Sequence, residues 1–315
     1  MTRPLRIEFC GAFYHITARG NERKDIFKSI TDRSQFLSYL ESATERYDAV
    51  IHTYCLMTNH YHLLLETPSG NLSQIMRHIN GAYTTYFNTK RKRSGHLFQG
   101  RYKGILVEAD EYVQELSRYI HLNPVRAGVA QSPEEYGWSS YLDYIGRRRP
   151  ASWLARDLIL GYFGISISKA QQEYRDFVEA ALGQDCKNPL SEVVASAILG
   201  SDGFIEKVRD THLRNRRPGR DLPSLKTLAP GVSVEEIEEA VDEIFRGDSA
   251  LARKVKLYLC RTCTAQPLRE IGMRFGIKES GVSLASRRMA LRIRNDAGLR
   301  AKVSKIKEQI SLQNV

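Results

Sequence analysis

Alternation and helical spacing divide the chain before any chemistry is considered. Residues 12–19, Ala-Phe-Tyr-His-Ile-Thr-Ala-Arg, gather β-branched and aromatic side chains and predict a strand. Phe36, Leu37, Leu40, Ala43 and Tyr47 recur at helical spacing and predict a helix over 32–47, with Thr31 as its cap. Two strands follow, 49–57 and 60–66, around a tight turn at Thr58-Asn59. Leu72, Ile75, Ile79, Tyr83 and Tyr86 form one stripe of a helix over 72–88, and residues 100–108 read as a fourth strand. A third helix starts after Asp110 and is expected to stop at Pro124. Strand, helix, strand, strand, helix, strand is the split βαβ, ferredoxin-like order, so the fold class expected is α+β.

Beyond Tyr144 the pattern changes. Arg147-Arg148-Arg149-Pro150 marks a boundary, followed by short helical stretches at 152–162, 168–182, 190–199 and 201–210. Residues 214–230, rich in Arg, Pro and Gly, read as an exposed linker. From Ser233 the pattern is helical throughout, opening with a capping box, Ser233 to Glu236. Helices are expected at 248–263, 266–275, 279–294 and 297–311. The pair joined by Phe275-Gly276-Ile277-Lys278 is a helix-turn-helix candidate, and its second helix carries Arg287, Arg288, Arg292 and Arg294. The domains expected are therefore 1–146, a helical connector and linker over 147–230, and an all-α domain over 231–315.

Composition narrows the classes. Of 315 residues 42% are hydrophobic and 26% charged, as in ordinary globular proteins. No run reaches the roughly 18 apolar residues of a membrane span, so a soluble, cytoplasmic protein with no membrane partner is expected. A net charge of +11 favours a polyanionic partner through counterion release. Cys260 and Cys263 form a CxxC with no second pair to complete a zinc site, and read as packed helix residues.

His60 and His62 are two apart in a strand, so both imidazoles project from one face, a natural arrangement for holding a metal. The opposing reading is two polar residues on a solvated face. Tyr119 and Asn123 share a face of the third helix, beside the apolar stripe Val113, Leu116 and Ile120. His121 points to another side of that helix. Glu66 shares the parity of His60 and His62 and is a candidate to support them. The basic run Lys90-Arg91-Lys92-Arg93, with Arg101 and Lys103, reads either as the path of a polyanionic partner across the first domain or as a solvated loop.

Four ordered segments carry a resemblance to a known family: GAFYHITARGN (Gly11–Asn21), HYHLLLETP (His60–Pro68), GHLFQGRYKGILVE (Gly95–Glu108) and RYIHLNPVRAG (Arg118–Gly128). Over about residues 1–145 the chain resembles the HUH single-tyrosine transposases, the REP-associated tyrosine transposases of bacteria most closely. The resemblance implies that His60 and His62 are the paired metal ligands, Asn123 the third ligand where related transposases use glutamine, and Tyr119 the nucleophile. It also implies Mg²⁺ or Mn²⁺ as cofactor, single-stranded or hairpin DNA as partner, and a homodimer as one assembly. The activity implied is nicking and rejoining of single strands through a 5′-phosphotyrosine at hairpin repeats or transposon ends. LREIGMRFGIKESGVSLASRRM (Leu268–Met289) resembles the DNA-binding domain of the replication initiator DnaA, which implies duplex DNA as a second partner. It departs where the initiator's Asp-His-Thr-Thr is Glu279-Ser280-Gly281-Val282 here. Lys278, Ser280, Arg287 and Arg288 are its candidate contacts, and a nucleoid-associated protein is the expectation. Three alternatives stand beside this reading: a non-catalytic DNA-binding regulator derived from a transposase, another HUH nuclease, and a histidine-triad hydrolase. The last needs a further histidine where Leu64 stands.

Overall fold

The computed structural model describes residues 6–183, 188–213, 233–264, 266 and 268–312; the linker expected over 214–230 lies outside the described residues. The described residues divide into two compact units, one ending at Glu206 and the other beginning at Lys207.

The first unit is built on β1 (Ala12–Arg19), α1 (Ile30–Tyr47), β2 (Val50–Leu56), β3 (His60–Thr67), α2 (Leu72–Lys90), β4 (Lys103–Val107) and α3 (Ala109–His121). Its strands lie in the order β2-β3-β1-β4-β5, the fifth being Ile198–Leu199. The first four are antiparallel neighbours in the ferredoxin-like arrangement that their order in the sequence predicts. β5 adds to β4 in parallel, with Leu106 opposite Ile198. A helix expected over 190–199 is therefore corrected: Ala195 and Ser196 hold positive φ, and a 3₁₀ turn at Pro189–Glu192 leads into the strand. The apolar pair Ile198-Leu199 is fully buried where it completes the β4 edge. The opposite edge, β2, is met by loop backbone: Leu56 and Ser140 N–H groups bond to Trp138 and Tyr54 carbonyls, and Ala155 N–H to Ile51.

Strand alternation sends side chains to two different cores. From β3, Tyr61 packs on Phe36 of α1 and bonds to Asn80 of α2. Its neighbour Leu64 joins a second cluster with Val113, Leu116 and Ile120 of α3. That cluster continues through α5 (Tyr141–Tyr144), α6 (Asp157–Gly161) and α7 (Ile167–Glu179), where Tyr144, Ile159, Tyr174 and Val178 are buried. Residues 147–206 thus lie within the same compact unit as the sheet, because α3 presents more apolar surface than the sheet alone covers. Between α3 and α5 the chain makes a single turn of helix, α4 (Asn123–Arg126).

Two local expectations are corrected. Ser29 caps α1, accepting from Asp32 N–H at 3.2 Å, because the helix begins at Ile30 and Thr31 already lies inside it. Pro124 does not end α3. The helix stops at His121, and Pro124 sits in the first turn of α4, where its missing N–H has no helical partner to lose.

The second unit contains α9 (Val234–Ile244), α10 (Ser249–Cys263), α11 (Leu268–Phe275), α12 (Glu279–Asn295) and α13 (Ala297–Leu312), after α8 (Asp202–Val208) of the preceding segment. The capping box at Ser233 and Glu236 forms as its spacing predicts. Ile237, Val241, Val255, Leu259, Val282 and Ile306 fill one core, and Cys260 is buried within it. Gly276 takes φ +63° in the turn between α11 and α12, and a Cβ on Gly272 would meet the Ile277 carbonyl at 2.5 Å, so both positions require glycine.

In the first unit Asp32 is fully buried and binds Lys90 at 3.0 Å and Arg91. Burial would raise its carboxyl, but the hydrogen bonds from Lys90 and Arg91 outweigh that and hold it below the usual range. Asp32→Ala leaves both cations without their partner. It is expected to lower unfolding free energy by about 3 kcal/mol, the low end for a broken buried pair since Lys90 is partly solvated. Urea unfolding at neutral pH measures this. The wild-type advantage should be full above the ordinary carboxylate pKa and shrink as pH falls below it.

Candidate active site

Beyond the end of the α3 core, the same sheet face opens into a cavity of about 450 Å³. His15, Thr17 and Arg19 of β1, His60 and His62 of β3, Lys103 and Ile105 of β4, Tyr119 of α3 and Asn123 of α4 all line it. His60, His62, Tyr119 and Asn123, from β3, α3 and α4, thus line one cavity. Register explains why: Thr17 of β1 lies opposite His62 and Arg19 opposite His60, so alternate residues of both strands face the cavity.

The imidazoles of His60 and His62 stand 5.1 Å apart between ring centres. Burial, with the nearby Arg19 charge, lowers the His60 pKa to about 4. Burial lowers that of His62 well below its ordinary value, so both rings are neutral at physiological pH, the form that binds a metal. Nδ1 of His60 lies 2.7 Å from Asn59 Oδ1, and Nδ1 of His62 lies 3.0 Å from Nε2 of His15. Nε2 of His62 is buried without a hydrogen-bond partner, a donor-set feature that suits a cation. The described residues contain no cluster of three or more His, Cys, Asp or Glu that could hold a metal.

Tyr119 is half-buried, its ring 6.0 Å from that of His62 and 6.1 Å from that of His15. The Asn123 side chain donates to the Tyr119 carbonyl at 2.9 Å, which ties the two residues across the α3–α4 junction. Burial raises the phenol pKa, while Arg126, stacked 5.1 Å over the ring, and a hydrogen bond with Asn123 lower it.

Sequence reasoning missed His15, Arg19, Gln99 and Arg126. His15 and Arg19 were accessible in principle, since they share strand parity within the segment Gly11–Asn21; Arg126 depends on the helical turn that carries it past Pro124. Glu66 does not support the pair. It lies at the far end of β3, 3.4 Å from His52 Nε2, because six residues of strand carry it about 20 Å from His60. Of the basic residues, Arg101 and Lys103 line the cavity. Lys90 and Arg91 bind Asp32, and Arg91 and Arg93 stack over Phe87. Lys92 has φ +46° at the end of α2. In the second unit Lys278, Arg287 and Arg288 are exposed; the Ser280 side chain lies outside the described residues.

His121 is fully buried on the opposite side of α3, Nδ1 2.7 Å from the Tyr174 hydroxyl and Nε2 2.8 Å from Ser140 Oγ. Burial lowers its pKa to about 3, so it is a neutral bridge between α3, α7 and the loop beside β2.

Residues 9–123 match the family model described as Transposase IS200 like. The family resemblance of the first segment is thereby shown. No curated protein matches the chain. Among solved structures, one described as the REP-associated tyrosine transposase bound to a REP hairpin is 17% identical with a TM-score of 0.41, covering 50% of this chain and 93% of that one.

The roles of His121 and Tyr119 on α3 separate experimentally. His121→Leu leaves the Ser140 and Tyr174 hydroxyls short of a partner in the interior and should lower stability by about 1–3 kcal/mol. Tyr119→Phe, at the cavity edge, should change it by less than about 1 kcal/mol. Urea denaturation of the two variants beside wild type measures the contrast.

Proposed function

We propose that the first unit nicks and rejoins single-stranded DNA through a covalent bond to Tyr119. The observation that carries this reading is the convergence of His60, His62, Tyr119 and Asn123 on one cavity walled by Arg19, Arg101 and Lys103. His60, the free Nε2 of His62 and the Asn123 amide oxygen would hold a divalent cation, Mg²⁺ or Mn²⁺, whose charge would offset that of the non-bridging phosphate oxygens.

The chain's own groups supply the rest. Arg19, Arg101 and Lys103 draw the phosphodiester into the cavity and counter its charge. The phenol oxygen of Tyr119 attacks phosphorus. A Tyr–O–P bond forms, the bond from phosphorus to the 3′ oxygen breaks, the phenol proton leaves, and the 3′ oxygen takes up a proton as a hydroxyl. The phosphodiester energy is kept in the 5′-phosphotyrosine, so attack by a 3′ hydroxyl rejoins the strand without a nucleotide cofactor. Burial opposes ionisation of the phenol, whereas Arg126 and Asn123 favour the phenolate that attacks. Hairpin DNA is the substrate form that the motif resemblance implies.

Tyr119→Phe removes one oxygen. It is expected to abolish the covalent adduct formed on a single-stranded hairpin oligonucleotide with Mn²⁺, leaving DNA binding intact. Mass spectrometry of the trapped adduct locates the modified peptide. A modified tyrosine elsewhere, or cleavage that persists in Tyr119→Phe or in EDTA, overturns the reading, and binding without any cleavage by wild type favours the regulator alternative.

We propose further that the second unit binds duplex DNA through α12. Support comes from the α11–turn–α12 geometry and from the exposed Arg287 and Arg288 on α12. In the full chain, the double variant Arg287→Ala/Arg288→Ala should reduce the slope of log affinity for duplex against log salt by about 2. A fluorescence-anisotropy salt series measures the change.

A further inference from the structure

Resting on the metal reading just given, we propose that His15 is a positioning residue that fixes which nitrogen of His62 is free to bind the cation. His15 is 1% exposed, on β1, one diagonal step from His62 across the sheet. Its Nε2 lies 3.0 Å from His62 Nδ1, and the two rings are nearly parallel, 12° apart. One proton lies between these nitrogens, and its owner decides the state of the pair. If His15 donates, His62 must carry its own hydrogen on Nε2, and that nitrogen has no lone pair for a metal. If His62 donates from Nδ1, its Nε2 presents a lone pair to the cavity, and His15 accepts.

The surroundings support the second arrangement. His62 Nε2 has no partner among the described residues, as expected of a nitrogen reserved for a ligand outside the chain. In that arrangement the His15 hydrogen sits on its own Nδ1, which is also buried without a partner. An unpaired buried donor is unfavourable. A residue that merely filled the core would be better replaced by an aliphatic side chain of similar size. The imidazole therefore earns its place through the bond to His62, which orients the ring and sets its tautomer.

The experiment titrates Mn²⁺ into the full chain, following free Mn²⁺ by electron paramagnetic resonance, with thermal unfolding and metal-free hairpin binding measured in parallel. Wild type, His15→Leu and His15→Gln are compared; the glutamine oxygen reaches about where Nε2 stands and can accept from His62 Nδ1. His15→Leu should weaken Mn²⁺ binding about 10–100-fold while metal-free hairpin binding persists, and His15→Gln should recover most of the loss. Wild-type Mn²⁺ affinity in folded His15→Leu overturns the proposal, as does a folded His15→Gln that binds no better than His15→Leu. Wild type that binds no Mn²⁺ sinks the metal reading itself and this inference with it.

Discussion

The position of α3 governs the site, because one helix carries Tyr119 on the cavity side and His121 on the core side. Rotation of that helix by a single residue, about 100°, would carry the phenol away from the histidine pair. Apolar packing alone resists such a shift weakly, since leucine and isoleucine side chains tolerate repacking. A neutral imidazole bonded at both nitrogens is directional. His121 meets Tyr174 and Ser140 at 2.7 and 2.8 Å, and Tyr174 passes the bond on to Ser117 of the same helix at 3.0 Å. Through Tyr174 the segment beyond residue 146 bonds to two side chains of the helix that carries Tyr119.

How much of this could be read in advance depends on the range of the interaction. The strand order and the convergence of His60 with His62 rest on a period of two, and Tyr119 with Asn123 on a period near four; both are local and were legible. The pairing of His15 with His62 joins positions forty-seven apart. It follows only from the register of β1 on β3, which the pattern of Phe13, Tyr14 and Ile16 does not specify by itself. Glu66 shows the limit of parity: it shares a face with His62, but distance along the strand places it beside His52. The Lys90-Arg91 pair read as a DNA path or a solvated loop because the carboxylate it binds, Asp32, lies in another helix. The strand Ile198–Leu199 was invisible for a related reason, since two apolar residues become a strand only where an edge is waiting.

The cavity combines two electrostatic characters. Its floor is neutral, three imidazoles kept uncharged chiefly by burial. Its wall is cationic, with Arg19, Arg101 and Lys103. Neutral nitrogens keep lone pairs available, whereas the guanidinium and ammonium groups act as fixed positive charge toward any polyanion, and the separation lets one small volume serve both purposes.

The covering of both sheet edges has a consequence for how this protein behaves in a crowded solution. An uncovered outer strand is a ladder of free N–H and C=O groups onto which any extended chain can zip. Here β5 covers the Leu106–Val107 end of the ladder beside β4, and the backbone of residues 138–140 and 154–155 covers part of the one beside β2. A two-residue strand and a pair of loops thereby act as end stops. They shorten the stretch of backbone on which a neighbouring chain could pair.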